Sequence, residues 1–331
     1  MKKIKVGIAG GAGYTGGELL RILLFHPSVE IAFVHSNSHA GHPLYEVHQD
    51  LLGDTHLHFT GELDFSGIDA LFLCLGHGKS VEFLKENTIP DHVRIIDLSQ
   101  DFRNQPIFDA DPLHPRTFVY GLPELFREEI ISARNIANPG CFATAFELAL
   151  LPLAAHGLIT DEIHVQGITG STGAGQALSS TSHFSWRNNN ISVYKAFTHQ
   201  HLKEVRKFLE YAAGISLPSL WFIPVRGNFS RGIFLTAYTR FKGVRGSALA
   251  LYKEYYQQAA FTFVSDKALH LKQVVNTNKC LIQVEEIDDQ ILISAAIDNL
   301  AKGASGQAVQ NLNLMFGLGE TSGLHLKSVM F

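Results

Sequence analysis

A cluster of glycines between two apolar segments near the N-terminus constrains this chain more than any other feature. Residues 4–9 form a short β-branched apolar run, and the apolar residues of positions 17–25 recur at helical spacing. Between these segments lies Gly10-Gly11-Ala12-Gly13-Tyr14-Thr15-Gly16, which contains G-x-G-x-x-G. A strand, a tight turn and a helix in this order bring backbone N–H groups and the positive end of a helix to a pyrophosphate. We therefore expect a dinucleotide-binding turn, the alternative being a tight turn without a ligand.

The residues after the second apolar run bear on the choice of dinucleotide. A site that prefers NAD usually places Asp or Glu there, about 20 residues beyond the glycines. This chain has His35-Ser36-Asn37-Ser38-His39 instead. Without a carboxylate nothing repels a 2′-phosphate, and the hydroxyls of Ser36 and Ser38 could donate to one. The segment favours NADP, although these polar residues could also simply cap a turn.

The order of apolar segments predicts an α/β fold with two domains. The length of 331 residues fits about two domains of ordinary size. Further apolar strands at 69–75 and 93–98, with a helix around 79–85 between them, indicate a parallel sheet covered by helices on both faces. Beyond Cys141 we expect a buried helix over 142–153 that ends near Pro152. Later strands are predicted at 163–169, 220–225, 232–241, 280–284 and 291–297, and helices at 247–261 and 299–316.

Composition and charge exclude several classes of protein. Hydrophobic residues make up 46% and charged residues 18%, and the net charge is −4 without a long block of either sign. This balance argues against a disordered chain, a nucleic-acid-binding protein and binding to an anionic membrane. No run of about 18 apolar residues predicts a spanning helix. Three separated cysteines neither form a disulfide framework nor match zinc-ligand spacing. We expect a small-molecule partner and a cytoplasmic location.

The segment Asn138-Pro139-Gly140-Cys141 places a thiol in the first turn of the predicted apolar helix. Unpaired backbone N–H groups and the helix dipole favour the thiolate at such a position, and the same N–H groups could hold an oxyanion. Cys141 is therefore the candidate nucleophile. The alternative, a small buried apolar residue, is the preferred interpretation for Cys74 and Cys280.

A thiolate nucleophile needs an acid/base partner, and the best candidates are His199 and His201. Their spacing does not decide which of them would move the proton and which would hold substrate. Metal binding is not expected, because the spacing matches no zinc motif. The remaining histidines, including His48, His56 and His58, are expected at the surface.

Seven segments together resemble the N-acetyl-gamma-glutamyl-phosphate reductase family, within the aspartate-semialdehyde-dehydrogenase-like superfamily. The resemblance spans the whole chain. These segments are the glycine loop 10–16, Asp97-Leu98-Ser99-Gln100-Asp101-Phe102-Arg103, Tyr120-Gly121-Leu122-Pro123-Glu124, Asn138-Pro139-Gly140-Cys141, Gly170-Ser171-Thr172-Gly173-Ala174-Gly175, His199-Gln200-His201 and 298–308.

The resemblance implies a Rossmann domain that binds NADPH, with a doubly wound parallel sheet, and a second α+β domain with a large mixed sheet. The first would comprise residues 1–140 and 301–331, including a returning C-terminal helix, and the second, catalytic and oligomerising, residues 141–300. It also implies a homodimer or homotetramer. In the resemblance Cys141 is the nucleophile, the pair His199 and His201 acts as acid/base, and the loop Gly10–Gly16 binds pyrophosphate. Further contacts follow from it: Gly173, Asn299 and Lys302 for the cofactor, and Arg103, Asn138 and Tyr194 for the substrate, with a structural salt bridge as the alternative for Arg103.

Two departures from the family pattern affect these expectations. The family commonly has Ser-Arg after the second strand, whereas this chain has Ser36-Asn37, which removes a cation beside the 2′-phosphate. Members also often read His-Arg-His-x-Pro-Glu where this chain reads His199-Gln200-His201-Leu202-Lys203-Glu204, so substrate contacts at that loop could differ.

The implied reaction is the NADPH-dependent reduction of an N-acyl-γ-glutamyl phosphate, through a cysteine thioester, in arginine biosynthesis. Hydride does not readily add to a carboxylate, so an activated acyl phosphate is required. The alternatives are an aminoadipyl-phosphate or aspartyl-phosphate reductase with the same chemistry, and a non-catalytic dinucleotide-binding sensor. The sequence leaves the acyl group, acetyl or succinyl, open.

Overall fold

The structure is a computed structural model that describes residues 2–76, 78–107 and 116–330. The chain divides into two units. Unit 1 consists of Met1–Pro139 and Ala304–His325, and unit 2 of Gly140–Gly303 and Leu326–Phe331. Unit 1 therefore draws on segments from both ends of the sequence.

Unit 1 is built on a parallel sheet, in which seven strands lie within the described residues. Their order is β3-β2-β1-β4-β5-β7-β6, and each neighbouring pair is parallel. The strands are β1 (Ile4–Ala9), β2 (Val29–His35), β3 (Phe59–Thr60), β4 (Ala70–Leu73), β5 (Arg94–Asp97), β6 (Val119–Tyr120) and β7 (Asn135–Ala137). Central strands such as β4 are buried along their whole length, as expected for a sheet covered on both faces. The predicted doubly wound sheet is confirmed.

The helices of unit 1 include one from the end of the chain. They are α1 (Tyr14–Leu23), α2 (Lys79–Glu86), α3 (Pro123–Ser132) and α8 (Gly306–Met315). Every residue of α8 is buried, including amide side chains. Two of these amides have partners within unit 1: Asn311 donates to the Gly121 carbonyl at 2.9 Å, and Asn313 lies 3.0 Å from the His26 ring. Buried amides need such partners, so α8 is fixed by specific hydrogen bonds as well as by apolar packing.

Unit 2 contains a mixed sheet, again with seven strands in the described residues. The order is β12-β13-β14-β11-β8-β10-β9. The pairs β8/β10 and β12/β13 are parallel, and the other pairs are antiparallel. The strands are β8 (Ile163–Thr169), β9 (Ser192–Val193), β10 (Leu220–Arg226), β11 (Ile233–Arg240), β12 (Thr262–Ser265), β13 (Cys280–Ile287) and β14 (Gln290–Ile297). The helices are α4 (Cys141–Ala155), α5 (Phe184–Arg187), α6 (His201–Ala213) and α7 (Ala248–Tyr255).

Helix α4 continues past the proline at which the sequence predicts its end. Pro152 lies inside the helix, which ends at Ala155. A proline removes the N–H that would bond to the carbonyl four residues earlier, here Leu148. The hydroxyl of Tyr256 donates to that carbonyl at 2.5 Å, and the hydroxyl of Tyr252 donates to the neighbouring Ala149 carbonyl at 2.7 Å. Tertiary hydrogen bonds therefore replace the missing helical one.

Two other predicted helix boundaries are wrong. The helix predicted at 247–261 ends at Tyr255, and the segment predicted as one helix at 299–316 is a π-helical turn, Ala301–Ser305, followed by α8. The carboxylate of Asp298 accepts the N–H groups of Leu300 and Ala301 and so competes with regular helix geometry at that point. Among the described helices none is both long and apolar enough to cross a membrane.

Removing the Tyr256 hydroxyl tests the proline site. We expect Tyr256→Phe to lower the free energy of unfolding by about 1–2 kcal/mol, because the buried Leu148 carbonyl loses its donor. Urea unfolding followed by circular dichroism measures the change. The matched control is Tyr238→Phe, which removes a hydroxyl from a side chain that is 49% exposed and should cost less than about 0.5 kcal/mol. Equal effects of the two variants would contradict the stabilising role of the hydrogen bond from Tyr256 to Leu148.

Candidate active site

The glycine loop of unit 1 has the geometry of a dinucleotide-binding turn. Gly10 adopts a left-handed φ of 80°, and a Cβ there would lie 2.7 Å from the Cys74 carbonyl oxygen. A Cβ on Gly11 would lie 2.2 Å from the Val34 side chain, and one on Gly16 would lie 2.4 Å from the Gly11 carbonyl oxygen. These three glycines are required by the turn itself and by strand–helix packing.

Gly13 has a different surrounding. It is the N-cap of α1, and a Cβ there would meet protein no closer than 4.0 Å, at the Gly10 carbonyl oxygen. Protein packing therefore does not require a glycine at this position, whereas a pyrophosphate that approached the backbone closely would require one. Tyr14 and Thr15 follow in the first turn of α1, where backbone N–H groups have no helical partner. The loop fits a dinucleotide.

His48 supports this loop, and the expectation that it lies at the surface is wrong. Its side chain is 8% exposed, and its Nε2 lies 2.8 Å from the Gly11 carbonyl oxygen. A Cβ on Gly17 would meet the His48 ring at 2.5 Å, so the ring also packs against α1. Nothing in the sequence near His48 indicates this contact, because it joins residues far apart in the chain.

Ser36 and Ser38, the two serines predicted to contact the cofactor, lie close together after β2. Their hydroxyl oxygens are 3.4 Å apart, and the Ser38 hydroxyl lies 2.9 Å from Nδ1 of His39. Ser36 Oγ also lies 3.4 Å from that nitrogen. Asn37 points elsewhere, since its amide oxygen lies 3.1 Å from Nε2 of His35. His39 thus joins the two predicted serines, and the sequence reasoning did not single it out.

The Asp97–Arg103 segment serves structural contacts in unit 1. The buried Asp97 carboxylate accepts the hydroxyls of Ser80 at 2.5 Å and Ser99 at 2.7 Å. Burial raises the pKa of Asp97 to about 6, against the opposing effect of those hydrogen bonds. Asp101 accepts the N–H groups of Gly78 and Ser80 at the start of α2. Both carboxylates therefore hold the turns that follow the parallel strands.

Arg103 and Asn138 are likewise engaged within unit 1. The Arg103 guanidinium donates to the carbonyls of Asn138 at 2.8 Å and Leu98 at 2.9 Å. The Asn138 amide donates to the Ala304 carbonyl at 3.0 Å and accepts from Asn311 at 3.1 Å. These contacts fix the chain two residues before Gly140. The roles of Arg103 and Asn138 toward substrate stay predictions.

In unit 2, Cys141 is the first residue of α4. Gly140 is the N-cap, with an extended backbone, and the first helical hydrogen bond runs from the Thr144 N–H to the Gly140 carbonyl at 2.8 Å. From Phe142 to Ala154 the helix is buried, whereas Cys141 keeps partial exposure. The thiol therefore lies at the positive end of a helix, at the edge of the core. This placement follows the sequence prediction.

Glu204 anchors this turn, and the sequence reasoning gave it no role. The Gly140 N–H donates to Glu204 Oε1 at 2.8 Å, and Glu204 is only 2% exposed. Glu204 lies on α6, one helical turn after His201, so one side chain links the cysteine turn to the helix that begins with the histidine. The i, i+3 spacing of His201 and Glu204 was a usable signal, because it places both on one helix face.

His199 and His201 lie together beside α4. Their ring centroids are 4.8 Å apart, and the ring of Phe142, the residue after the cysteine, lies 5.5 Å from His199 and 6.5 Å from His201. Aromatic neighbours bury His199, and this burial, with a smaller effect of the Lys195 charge, lowers its pKa from 6.5 to about 4. Its Nδ1 accepts the N–H of His201 at 3.3 Å. Neutral His199 therefore carries its proton on Nε2.

Tyr194 lies in a strained loop that runs along β10. Its N–H donates to the Pro224 carbonyl at 3.1 Å, and its ring lies 5.7 Å from that of His199. Lys195 and Phe197, on either side of Ala196, adopt left-handed φ angles of 44° and 61°, which are uncommon for residues other than glycine. Burial and the neighbouring Cys141 raise the pKa of Tyr194, while nearby arginines act in the opposite direction. Strained backbone of this kind is concentrated at functional sites.

Gly173, Asn299 and Lys302 lie in unit 2. The Asn299 side chain accepts the Gly232 N–H at 2.6 Å and donates to the Thr172 hydroxyl at 3.0 Å. Gly173 adjoins it, since a Cβ there would lie 3.9 Å from the Asn299 amide nitrogen. Lys302 is fully buried in the π-helical turn, one residue before Gly303, where a Cβ would lie 2.9 Å from that of Cys141. Their roles toward a cofactor stay predictions.

The other two cysteines differ from Cys141. Cys280 is fully buried at the start of β13. Cys74 follows β4, and although the residue keeps some exposure, burial of its thiol raises the pKa to about 12, against a smaller opposing effect of a hydrogen bond with Thr15. Neither thiol is suited to act as a nucleophile at neutral pH. Across the described ranges, no group of three His, Cys, Asp or Glu side chains is arranged to hold a metal ion.

Comparison with known proteins identifies two family domains. Residues 5–133 match the model described as semialdehyde dehydrogenase, NAD binding domain, and residues 141–299 match semialdehyde dehydrogenase, dimerisation domain. Among solved structures, an aspartate semialdehyde dehydrogenase II from Vibrio cholerae superposes with a TM-score of 0.71 at 17% identity, covering 96% of this chain and 99% of that one. An aspartate semialdehyde dehydrogenase with NADP from Candida albicans gives 0.69 at 13% identity, covering 95% and 98%. These likenesses show the fold.

Curated relatives are much more similar in sequence. N-acetyl-gamma-glutamyl-phosphate reductase from Christiangramia forsetii is 55% identical over 99% of this chain and 100% of its own length. The enzyme of that name from Parabacteroides distasonis is 56% identical with the same coverage. Identity at this level over the full length shows the family. The chain belongs to the N-acetyl-gamma-glutamyl-phosphate reductase family of semialdehyde dehydrogenases.

Proposed function

We propose that the chain reduces an N-acyl-γ-glutamyl phosphate, with acetyl as the acyl group, to the corresponding glutamate 5-semialdehyde, with NADPH as the reductant and release of phosphate, in arginine biosynthesis. One observation carries the proposal: a partly exposed cysteine begins a buried helix, and its turn is bonded to the helix that begins with His201. The names of the relatives at 55% and 56% identity support the substrate.

The cysteine performs the covalent step. The Cys141 thiolate attacks the γ-carbonyl carbon, the bond from that carbon to the phosphate oxygen breaks, and a thioester forms as phosphate leaves with the electron pair. NADPH, when bound, supplies the hydride that adds to the thioester carbon. The resulting oxyanion takes a proton to give a thiohemiacetal. Loss of that proton and cleavage of the carbon–sulfur bond release the aldehyde and restore the thiolate.

The two histidines have different tasks in this proposal. His199 is a weak base, since its pKa is about 4, and its Nδ1 lone pair accepts the His201 N–H. It therefore serves as a neutral donor through Nε2–H toward the substrate oxygen. The proton of the thiol, and later that of the oxyanion, passes through His201, which follows at the start of α6.

The cofactor binds to unit 1. The N–H groups around Gly13, Tyr14 and Thr15 would hold the pyrophosphate, because this part of the loop has room that its own packing does not use. The hydroxyls of Ser36 and Ser38, together with His39, would hold the 2′-phosphate that distinguishes NADPH from NADH. His39 supplies a donor where Asn37 supplies none, because Asn37 lies against His35.

We also propose a homodimer in the cytoplasm. The matched dimerisation domain supports association through unit 2. One face of its sheet buries Leu235 and Ala237, whereas Trp221 and Tyr238 on the opposite face are 38% and 49% exposed. Large aromatic side chains are enriched at interfaces. A reducing compartment suits a protein whose proposed reaction needs a reactive thiol.

The reverse reaction tests the function. The wild-type protein should reduce NADP⁺ with N-acetylglutamate semialdehyde only when phosphate is present, since the thioester needs phosphate as acceptor. Cys141→Ala should lower this rate at least about a thousandfold. Absorbance at the NADPH band measures both. NADPH binding by fluorescence should change less than about twofold, because the cofactor is held elsewhere.

Thiol labelling and rival substrates provide the controls. Iodoacetamide should modify Cys141 and leave Cys74, with its pKa of about 12, and the buried Cys280 unmodified. Aspartate semialdehyde and N-succinylglutamate semialdehyde should react more slowly than the N-acetyl compound. Substantial turnover by Cys141→Ala would refute the nucleophile, and faster turnover of aspartate semialdehyde would refute the substrate.

The pH dependence tests the division between the histidines. Because the pKa of His199 is about 4, it stays neutral from pH 5.5 upward, and His199→Gln should lower kcat/KM without moving any acidic limb between pH 5.5 and 8. His201→Gln should lower kcat/KM across the whole range, because the proposed proton-transfer group is lost. Profiles of kcat/KM against pH measure both variants, and a limb that shifts in His199→Gln would contradict the division.

Stability gives an independent check of the same pKa. His199 binds a proton more weakly in the folded protein, where its pKa is about 4, than in the unfolded chain, where its pKa is 6.5. Its contribution to the free energy of unfolding is therefore present above pH 6.5 and is lost as the pH falls toward 4. The unfolding free energy of His199→Gln should depend less on pH across this range than that of the wild type.

Cofactor choice is tested separately. We expect His39→Ala to weaken NADPH binding about tenfold, because a donor to a charged group is lost, and to leave NADH binding unchanged. Fluorescence titration with each nucleotide measures the two affinities. The control is His42→Ala, which removes an exposed histidine that is paired with Glu46, four residues later. Equal loss of NADPH and NADH affinity in His39→Ala would refute the 2′-phosphate contact.

A further inference from the structure

Two arginine side chains converge beside Tyr194 in unit 2. The register of the sheet pairs Arg226 of β10 with Thr169 of β8 on one side and with Ser192 of β9 on the other. Arg187, the last residue of α5, donates from Nη2 to the Thr169 carbonyl at 3.1 Å. Strand pairing and a main-chain hydrogen bond therefore bring the two guanidinium groups together.

Nothing described in the structure neutralises this pair. Among the described residues no carboxylate forms an ion pair with Arg187 or Arg226, and both side chains are half-buried. Burial, and then the charge of Arg226, lower the pKa of Arg187. The Arg187 Nε–H is buried and has no hydrogen-bond partner in the described part of the chain. Like charges held together with an unused donor are costly unless an anion binds them.

Aromatic rings orient Arg226 for such binding. Its guanidinium carbon lies 4.3 Å from the ring centroid of Tyr194 and 5.9 Å from that of Trp186. Its Nη1 donates to the Ser192 hydroxyl at a long 3.4 Å. Rings that cover the faces of a guanidinium hold its plane and leave N–H groups at the edge, the geometry with which arginine binds oxyanions.

This pair also lies close to the candidate nucleophile. The charges of Cys141, Arg226 and Arg187 all act on the Tyr194 hydroxyl, the first raising its pKa and the arginines lowering it. The Tyr194 ring further contacts that of His199. An anion held by the two arginines would therefore border the cysteine and histidine site.

We propose that Arg187 and Arg226 form an oxyanion-binding subsite for the substrate, with Tyr194 and Trp186 as its walls. The inference rests on the proposed function for the substrate, whose acyl phosphate and α-carboxylate are both oxyanions. The shared chemistry is recognition of a small oxyanion by two guanidinium groups. The leaving phosphate and the α-carboxylate are the two sources that the experiment must separate.

Protection of Cys141 from alkylation tests the subsite without turnover. Inorganic phosphate and N-acetylglutamate, which has carboxylates but no phosphate, are the two probes, and the readout is the concentration that halves the rate of iodoacetamide labelling. Arg187→Gln and Arg226→Gln should raise this concentration about tenfold or more for one probe. Arg187→Lys should have an intermediate effect, because it keeps the charge but loses the fork of donors. Arg245→Gln, an exposed arginine in the loop before α7, should match the wild type.

Reverse kinetics identify the source of the anion. A rise in the KM for phosphate assigns the subsite to the leaving group, and a rise in the KM for the semialdehyde assigns it to the α-carboxylate. Unchanged half-protection for both probes, or no protection of the wild type by either, would overturn the proposal. The proposal would also be overturned if Arg187→Lys lost protection as fully as Arg187→Gln and its melting temperature fell as well. That result would indicate a structural role for Arg187.

The same data separate this inference from the proposed function. Anion protection that depends on the two arginines, in a protein that does not turn over N-acetylglutamate semialdehyde, would leave the subsite standing and refute the substrate. Normal turnover, with protection that neither substitution affects, would support the substrate and refute the subsite.

Discussion

The N–H of Gly140 donates to the Glu204 carboxylate, and this contact ties the turn that carries Cys141 to the helix that carries His201. A carboxylate 2% exposed is costly to bury without compensation. Part of that compensation comes from Lys207, which lies one turn further along α6. Burial lowers the pKa of Lys207 to about 8, while the charges of Glu204 and Glu147 act to raise it. The geometry of the proposed chemistry therefore depends on a buried polar group placed between two helices, and not on the two reactive side chains alone.

Unit 1 is organised by comparable constraints around its glycine loop. Close packing requires glycine at positions 10, 11 and 16. The turn that these three glycines form leaves open space beside Gly13. The histidine ring of His48 closes the loop from behind through the Gly11 carbonyl. The acidic residues Asp97 and Asp101 hold turns at the ends of parallel strands and take no part in the proposed reaction. A motif that marks a family can thus serve architecture as much as chemistry.

The sequence predicted both sheets, the glycine loop and the position of Cys141 at a helix start, because each depends on local periodicity or on a turn within a few residues. It placed the end of α4 at Pro152 wrongly, since the donor that satisfies Leu148 comes from Tyr256, more than 100 positions away. His48 and His39 were missed for the same reason: their partners depend on tertiary packing or on side-chain direction in a short loop. Glu204 could have been predicted from the sequence, because it lies one helical turn after His201, which had been predicted as a site residue.

The composition of unit 1 from both ends of the chain has a consequence for biosynthesis. Helix α8 is buried throughout, and its amides bond to Gly121 and His26, so the dinucleotide-binding unit lacks an internal helix until residues 306–315 have left the ribosome. Most of unit 2, from Gly140 to Gly303, is contiguous and is synthesised before that helix. Because domains generally fold as units during translation, this order of synthesis allows unit 2, which carries Cys141, to fold before unit 1 is complete.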